Sequence, residues 1–185
     1  MGDSTSLLFS DYETAGFNND DTIFSHLSAV NAGGTTTFEE GVSLTGSNVT
    51  AESIASVSAA DVTILAIGLS KAQEHEGMDR KDTLLPAGQS AFAAQVFKAA
   101  GSKPVIVLLC NGGAVSIDDL ITPAAAIIEA FNPAQQGPKA LAALLFGKEN
   151  RWGKLPITIY DKDYATTPAI FQCFVGRRPF LTDSL

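Results

Sequence analysis

Short, almost unbroken apolar runs alternate with amphipathic segments from about residue 50 to residue 160. The runs are Asp61–Gly68 (DVTILAIG), Pro104–Cys110 (PVIVLLC), Ala125–Phe131 (AAIIEAF) and Leu155–Tyr160 (LPITIY). Apolar runs of this length without polar alternation suit strands covered on both faces, as in parallel sheets. Between them, Thr50–Ala60 predicts a helix with Thr50 as N-cap and Glu52 or Ser53 in its first turn. Pro86 fits the first turn of a helix reaching about Ala100, with Phe92, Val96 and Phe97 on one face and Gly101 closing it. A short helix near Ser116–Ile121 and another over Pro138–Phe146, stopped by Gly147, complete the series. Strands alternating with helices imply right-handed crossovers. The expected fold class is α/β: a mostly parallel sheet flanked by helices, an α/β sandwich with flavodoxin-like layering.

The ends read differently. Residues 1–50 are rich in Gly, Thr, Asn and Asp, and predict an irregular lead-in of the same domain with one helical turn around Thr22–Val30. Residues 51–160 form the expected sandwich core, and residues 161–185 lose all period and read as a tail. A chain of 185 residues suits one domain, long enough to bury roughly 70% of its unfolded surface.

Charge and cysteine content narrow the function classes. A formal net charge of −8 opposes the phosphate neutralisation that nucleic acids and anionic membranes demand, so neither is expected as a partner. Uncharged sugars are not disfavoured. The longest strongly apolar runs, such as Val105–Leu109, fall far short of the ~20 residues of a spanning helix, and Met1–Ser10 lacks the pattern of a secretory signal. Cys110 and Cys173 lie too far apart in sequence to suggest a disulfide framework or a metal site. Cys110 reads as a small buried hydrophobe.

In open α/β sheets ligands bind beyond the carboxyl ends of the strands. The loop after Gly68 is the most loaded: between Glu74 and Arg80 it places three carboxylates (Glu74, Glu76, Asp79), His75 and Arg80 within seven residues. Carboxylates crowded in one loop repel one another, a setting that suits a general acid. The plainer reading is a solvated acidic loop with an Asp79–Arg80 surface pair. His26, in an apolar patch, reads as a packed or surface residue. Asn48-Val49-Thr50 is a glycosylation sequon, meaningful in a secreted chain. Asn111-Gly112-Gly113 at a strand end is a turn whose backbone could face a ligand. There is no GxGxxG, no GxxxxGK[ST], no GxSxG elbow and no metal-spaced His/Cys cluster, so no cofactor and no metal are expected.

Five segments in order carry a resemblance. They are Ala60–Gly68; the Glu74-x-Glu76-x-x-Asp79-Arg80 loop with Leu84-Leu85-Pro86-x-x-Gln89; Pro104–Ala114; Asn132-Pro-Ala-Gln135-Gln-Gly137 before Ala140–Gly147; and Asn150-x-x-Gly153-Lys154-Leu155-Pro156-Ile-Thr158. Together they resemble the second, carboxy-terminal domain of the family 3 glycoside hydrolases. Tyr160–Thr167 and the ExE-x-x-DR loop are similar to the β-xylosidase branch. The resemblance implies a retaining mechanism with two carboxyl groups about 5–5.5 Å apart. An Asp of a (β/α)8 barrel domain attacks the anomeric carbon, and a Glu from a loop of the second domain serves as acid and base. Glu74 and Glu76 both fit that loop; Glu74 is placed first and Glu76 second. Asp79 and Arg80 match the family's DR pair, with the role of bracing the loop.

Such a barrel needs about 250 residues, and 60 precede the first expected strand. The expectation is therefore an acid/base-bearing domain whose barrel lies outside this chain, inactive or nearly so alone. Its implied substrate is a xylo-oligosaccharide or related glycoside of plant cell walls, and its parent is implied to be secreted or extracellular. Two departures from the family pattern stand out: Asn150-Arg151-Trp152 replaces the usual Asn-Pro, and Phe171–Leu185 lacks the family's Tyr-rich segment. A non-catalytic carbohydrate-binding or partner-docking domain is the alternative. A flavodoxin-like domain binding a nucleotide or flavin is a third reading, disfavoured by the missing phosphate loop.

Overall fold

A computed structural model describes residues 22–42, 50–70, 72–78 and 80–164. Within them three strands, β1 (Thr63–Gly68), β2 (Val105–Cys110) and β3 (Ala126–Glu129), form a parallel sheet in the order β1-β2-β3. The register sets Leu65 against Val107, Ala66 against Leu108, Gly68 against Cys110 and Leu109 against Glu129. The helices are α1 (Ile23–Val30), α2 (Ala51–Ala59), α3 (Ala87–Ala100), α4 (Asp118–Ile121) and α5 (Gly137–Leu145).

The sheet is covered on both faces, which explains why its strands read as continuous apolar runs. Successive side chains of a strand point to opposite faces. Leu65, Ile67, Val107 and Leu109 enter one cluster with Val57 of α2 and Phe92, Ala93, Val96 and Ala100 of α3. Ala66, Leu108 and Cys110 enter the other with Ile23 and Leu27 of α1 and Leu141 and Ala142 of α5. The α/β class is therefore as the sequence predicts, three layers with the sheet in the middle.

Local signals explain most element ends. Thr50 caps α2, its hydroxyl accepting from the Ser53 N–H at 3.2 Å. Thr22 and Ser25 form a reciprocal capping box that starts α1. This extends α1 to eight residues, more than the single turn expected, and its Ile23 and Leu27 bury against α5. Gly101, at φ 61°, closes α3.

One expected strand does not form. Residues 155–160 are irregular. Pro156 has no N–H to give a ladder, and Leu155, Ile157 and Tyr160 are exposed while Ile159 is buried. The run has strand composition but no neighbour among the described residues: β3 is paired on its β2 side only.

Candidate functional site

The three strands end level with one another, and the loops that leave them converge at that end. Gly68 is the pivot of the first loop. A Cβ there would lie 1.9 Å from the Cys110 carbonyl oxygen, and its φ is 153°, so only glycine lets β1 and β2 approach so closely. The buried side chain of Gln89, on α3, donates to the Gly68 carbonyl and accepts from the Gly68 N–H, both at 2.8 Å. The amide thereby serves, at Gly68, as a strand neighbour would on the side of β1 that has none among the described residues. The Leu69 N–H still donates to Cys110 O, at 2.8 Å. The loop then breaks away, with the Glu74 N–H donating to Ser70 O at 3.1 Å.

The two candidate glutamates meet different fates. The Met78 N–H donates to His75 O at 2.9 Å, closing a turn with Glu76 and Gly77 (φ 84°) at its two central positions. Glu76 stands exposed at the tip of that turn. Glu74 folds back beneath it, onto the Gly112-Gly113 turn after β2. Its Oε1 accepts from the Gly112 N–H at 2.6 Å and the Gly113 N–H at 2.9 Å. Its Oε2 lies 3.1 Å from the Gly113 nitrogen and 3.5 Å from Arg80 Nε. Arg80 in turn donates through Nη2 to the Ala114 carbonyl. Side-chain exposure is 22% for Glu74 and 17% for Arg80, so the pair is largely withdrawn from water.

Asp79, the other residue of the expected bracing pair, lies outside the described residues. Arg80 pairs with Glu74 and donates to the Ala114 carbonyl. His75 is exposed beside Glu76.

A third carboxylate belongs to the same end of the sheet and was not singled out from the sequence. Glu129 is the last residue of β3. Its Oε1 accepts from the Phe131 N–H at 3.0 Å and its Oε2 from Asn111 Nδ2 at 3.3 Å. Burial pushes its carboxyl above the usual range, and those two hydrogen bonds pull it partly back. Asn111, fully buried, also donates to the Gly113 carbonyl at 2.9 Å. Glu129, Asn111, the Gly112-Gly113 turn and Glu74 thus form one connected polar chain across the ends of all three strands. The available signal was an acidic residue closing an otherwise apolar run. Beyond it, Phe131 (φ 53°) and Ala134 (φ 51°) hold left-handed conformations that side chains disfavour. Beneath this layer, burial, and then the charge of Glu129, push the Cys110 thiol up to about 12, so this cysteine is inert packing. Among the described residues no group of three or more His, Cys, Asp or Glu could hold a metal ion.

A parallel α/β domain with carboxylates gathered at its strand ends is a form shared by sugar hydrolases and by many other proteins, and comparison with known proteins decides among them. The family model described as the glycosyl hydrolase family 3 C-terminal domain matches residues 8–178. The chain belongs to that family, the one its ordered motifs resemble. β-D-xylosidase 1 of Arabidopsis thaliana is 40% identical over 107 residues, covering 57% of this chain and 14% of that protein. An exo-1,4-β-xylosidase of Aspergillus awamori is 35% identical over 127 residues, covering 68% of this chain and 16% of the relative. Among solved structures, a family 3 exo-β-xylosidase in complex with a xylobiose aziridine activity-based probe superimposes with a TM-score of 0.74 at 26% identity. That match covers 90% of this chain and 22% of the other. A family 3 β-glucosidase from Bifidobacterium adolescentis gives 0.68 at 30% identity, over 76% of this chain and 21% of that one. The chain thus spans about a sixth of the length of these curated relatives, and the part it shares with them is the glycosyl hydrolase family 3 C-terminal domain.

Proposed function

We propose that this domain supplies the acid/base carboxyl of a retaining, exo-acting glycoside hydrolase that releases xylose or a related sugar from the non-reducing end of plant cell-wall oligosaccharides. The nucleophile comes from a barrel domain outside these 185 residues. Glu76 is the acid/base, and Glu74 and Arg80 hold its loop in place, with Asp79 as a further support. This reverses the order in which the sequence places the two glutamates.

The observation that supports the assignment is the difference in exposure between them. Both oxygens of Glu74 are engaged by backbone N–H groups or Arg80. Glu76 stands exposed on a tight turn beyond the carboxyl end of the sheet, where a glycosidic oxygen could approach. In the retaining mechanism such a carboxyl group first protonates the leaving oxygen and then takes a proton from the water that frees the sugar.

The test is hydrolysis of xylobiose and of a dinitrophenyl β-xyloside by this chain combined with a separately expressed barrel domain. Turnover is expected only when both parts are present. Glu76→Gln should lose about 10²–10⁴-fold on xylobiose. It should lose far less in the glycosylation step of the dinitrophenyl substrate, whose leaving group needs no proton. Glu74→Gln should lose similar factors on both substrates, because it disturbs the loop and not the proton transfer. The opposite pattern would return the role to Glu74.

A non-catalytic docking role is favoured by a different observation. Phe146, Trp152, Leu155, Ile157 and Tyr160 leave apolar surface exposed along one stretch of chain. Co-sedimentation with the barrel domain, without restored turnover, would support docking alone.

A further inference from the structure

Glu74 occupies something that is itself a site. The Gly112 and Gly113 N–H groups both point at one carboxylate oxygen, at 2.6 and 2.9 Å, and Arg80 lies beside the other. Two successive backbone N–H groups converging beyond a strand end, backed by a guanidinium, make an anion-binding concavity of the kind that holds phosphates and carboxylates elsewhere. Its shape is matched to a carboxylate. A Cβ on Gly112 would lie 2.8 Å from Glu74 Oε1, and one on Gly113 would lie 2.8 Å from Oε2 and 3.3 Å from Arg80 Nη2. The two glycines thus leave room for the carboxylate. The floor is fixed independently of Glu74, since the buried Asn111 side chain donates to the Gly113 carbonyl and to Glu129, and Arg80 is anchored on the Ala114 carbonyl. The guanidinium has capacity in reserve: Arg80 Nη1 is buried with no hydrogen-bond partner among the described residues.

We infer that the Gly112-Gly113 turn and Arg80 form a preorganised carboxylate-binding nest, with Glu74 as its tethered resident ligand and small monocarboxylates as the free ligands it accepts once Glu74 is removed. A tethered carboxylate competes at an effective concentration set by its loop, so the intact chain keeps the nest filled and ignores external anions. The inference stands on this geometry and is independent of which glutamate transfers the proton.

Thermal unfolding of the 185-residue chain tests it, with sodium acetate against acetamide and sodium chloride as neutral and ionic-strength controls. Glu74→Ala should show a saturable rise in Tm of about 2–4 °C with acetate, and none with acetamide or chloride. The wild type should show no acetate-specific rise, because the nest is occupied. Glu74→Ala combined with Arg80→Met should lose the response. Equal responses to acetate and acetamide, or no acetate response in Glu74→Ala, would overturn the inference. If Glu74→Ala does not fold in plain buffer, acetate and not acetamide should restore its folding, read by circular dichroism. A variant that stays unfolded in acetate, or that acetamide restores equally, would overturn the inference.

Discussion

Glu129 is the residue whose environment carries the clearest consequence for pH. Burial holds its carboxyl above the ordinary value of 4.5, with hydrogen bonds from the Phe131 N–H and the Asn111 amide opposing. Because the folded-state pKa is raised, the native chain holds this proton more tightly than the unfolded chain does. The stabilisation this gives is fully present below the unfolded pKa, about 4.3 for glutamate, and is lost as pH rises through the folded value. The urea midpoint of the wild type, taken relative to Glu129→Gln, should therefore fall as pH rises from about 4. Midpoints that run parallel over that rise would mean that Glu129 does not titrate differently in the two states.

At the scale of elements, the clamp between α3 and β1 is the feature on which the candidate loop depends. Gln89 is 3% exposed and satisfies both backbone groups of Gly68 on the side of β1 that has no strand partner among the described residues. Its replacement by Leu keeps the bulk but leaves a buried N–H and a buried carbonyl without partners, at about 1–3 kcal/mol each. Equilibrium urea unfolding of Gln89→Leu should show that loss, and faster amide exchange at Leu69 and Ser70 should accompany it. An unchanged midpoint would show that the edge of β1 has other partners. The same scale explains what the apolar pattern conveyed. α2 and α3 announced themselves through Thr50, Pro86 and Gly101, which act within a few residues of their own positions. Residues 155–160 had the composition of a strand, but a strand also needs a ladder partner, and none among the described residues supplies one.

At the scale of the molecule, Phe146, Trp152, Leu155, Ile157 and Tyr160 form a run of exposed large apolar residues among the described residues. Exposed apolar stretches of this kind mark contact surfaces. The isolated chain should bind a dye that reports apolar surface, and elute from gel filtration partly as associated species. Added barrel domain should reduce the dye signal. A monomer that binds no dye would instead mark the domain as self-sufficient.

The amino-acid sequence by itself determined the α/β class, the three parallel strands, most helix ends and the loop that bears the carboxylates. Each of these is written in local periodicity, in capping residues or in motif order, which act over short distances along the chain. Tertiary structure alone decided how that loop is held. Glu74 and Glu76 are two residues apart and indistinguishable by composition. They differ because the Gly112-Gly113 turn, 38 residues from Glu74 to Gly112, arrives to bind one of them. Glu129 likewise became part of the site only when β3 paired with β2 and set it beside Asn111. Hydrogen-bond partners brought together by strand pairing leave no periodic trace in the sequence, because their spacing is set by the sheet and not by the chain.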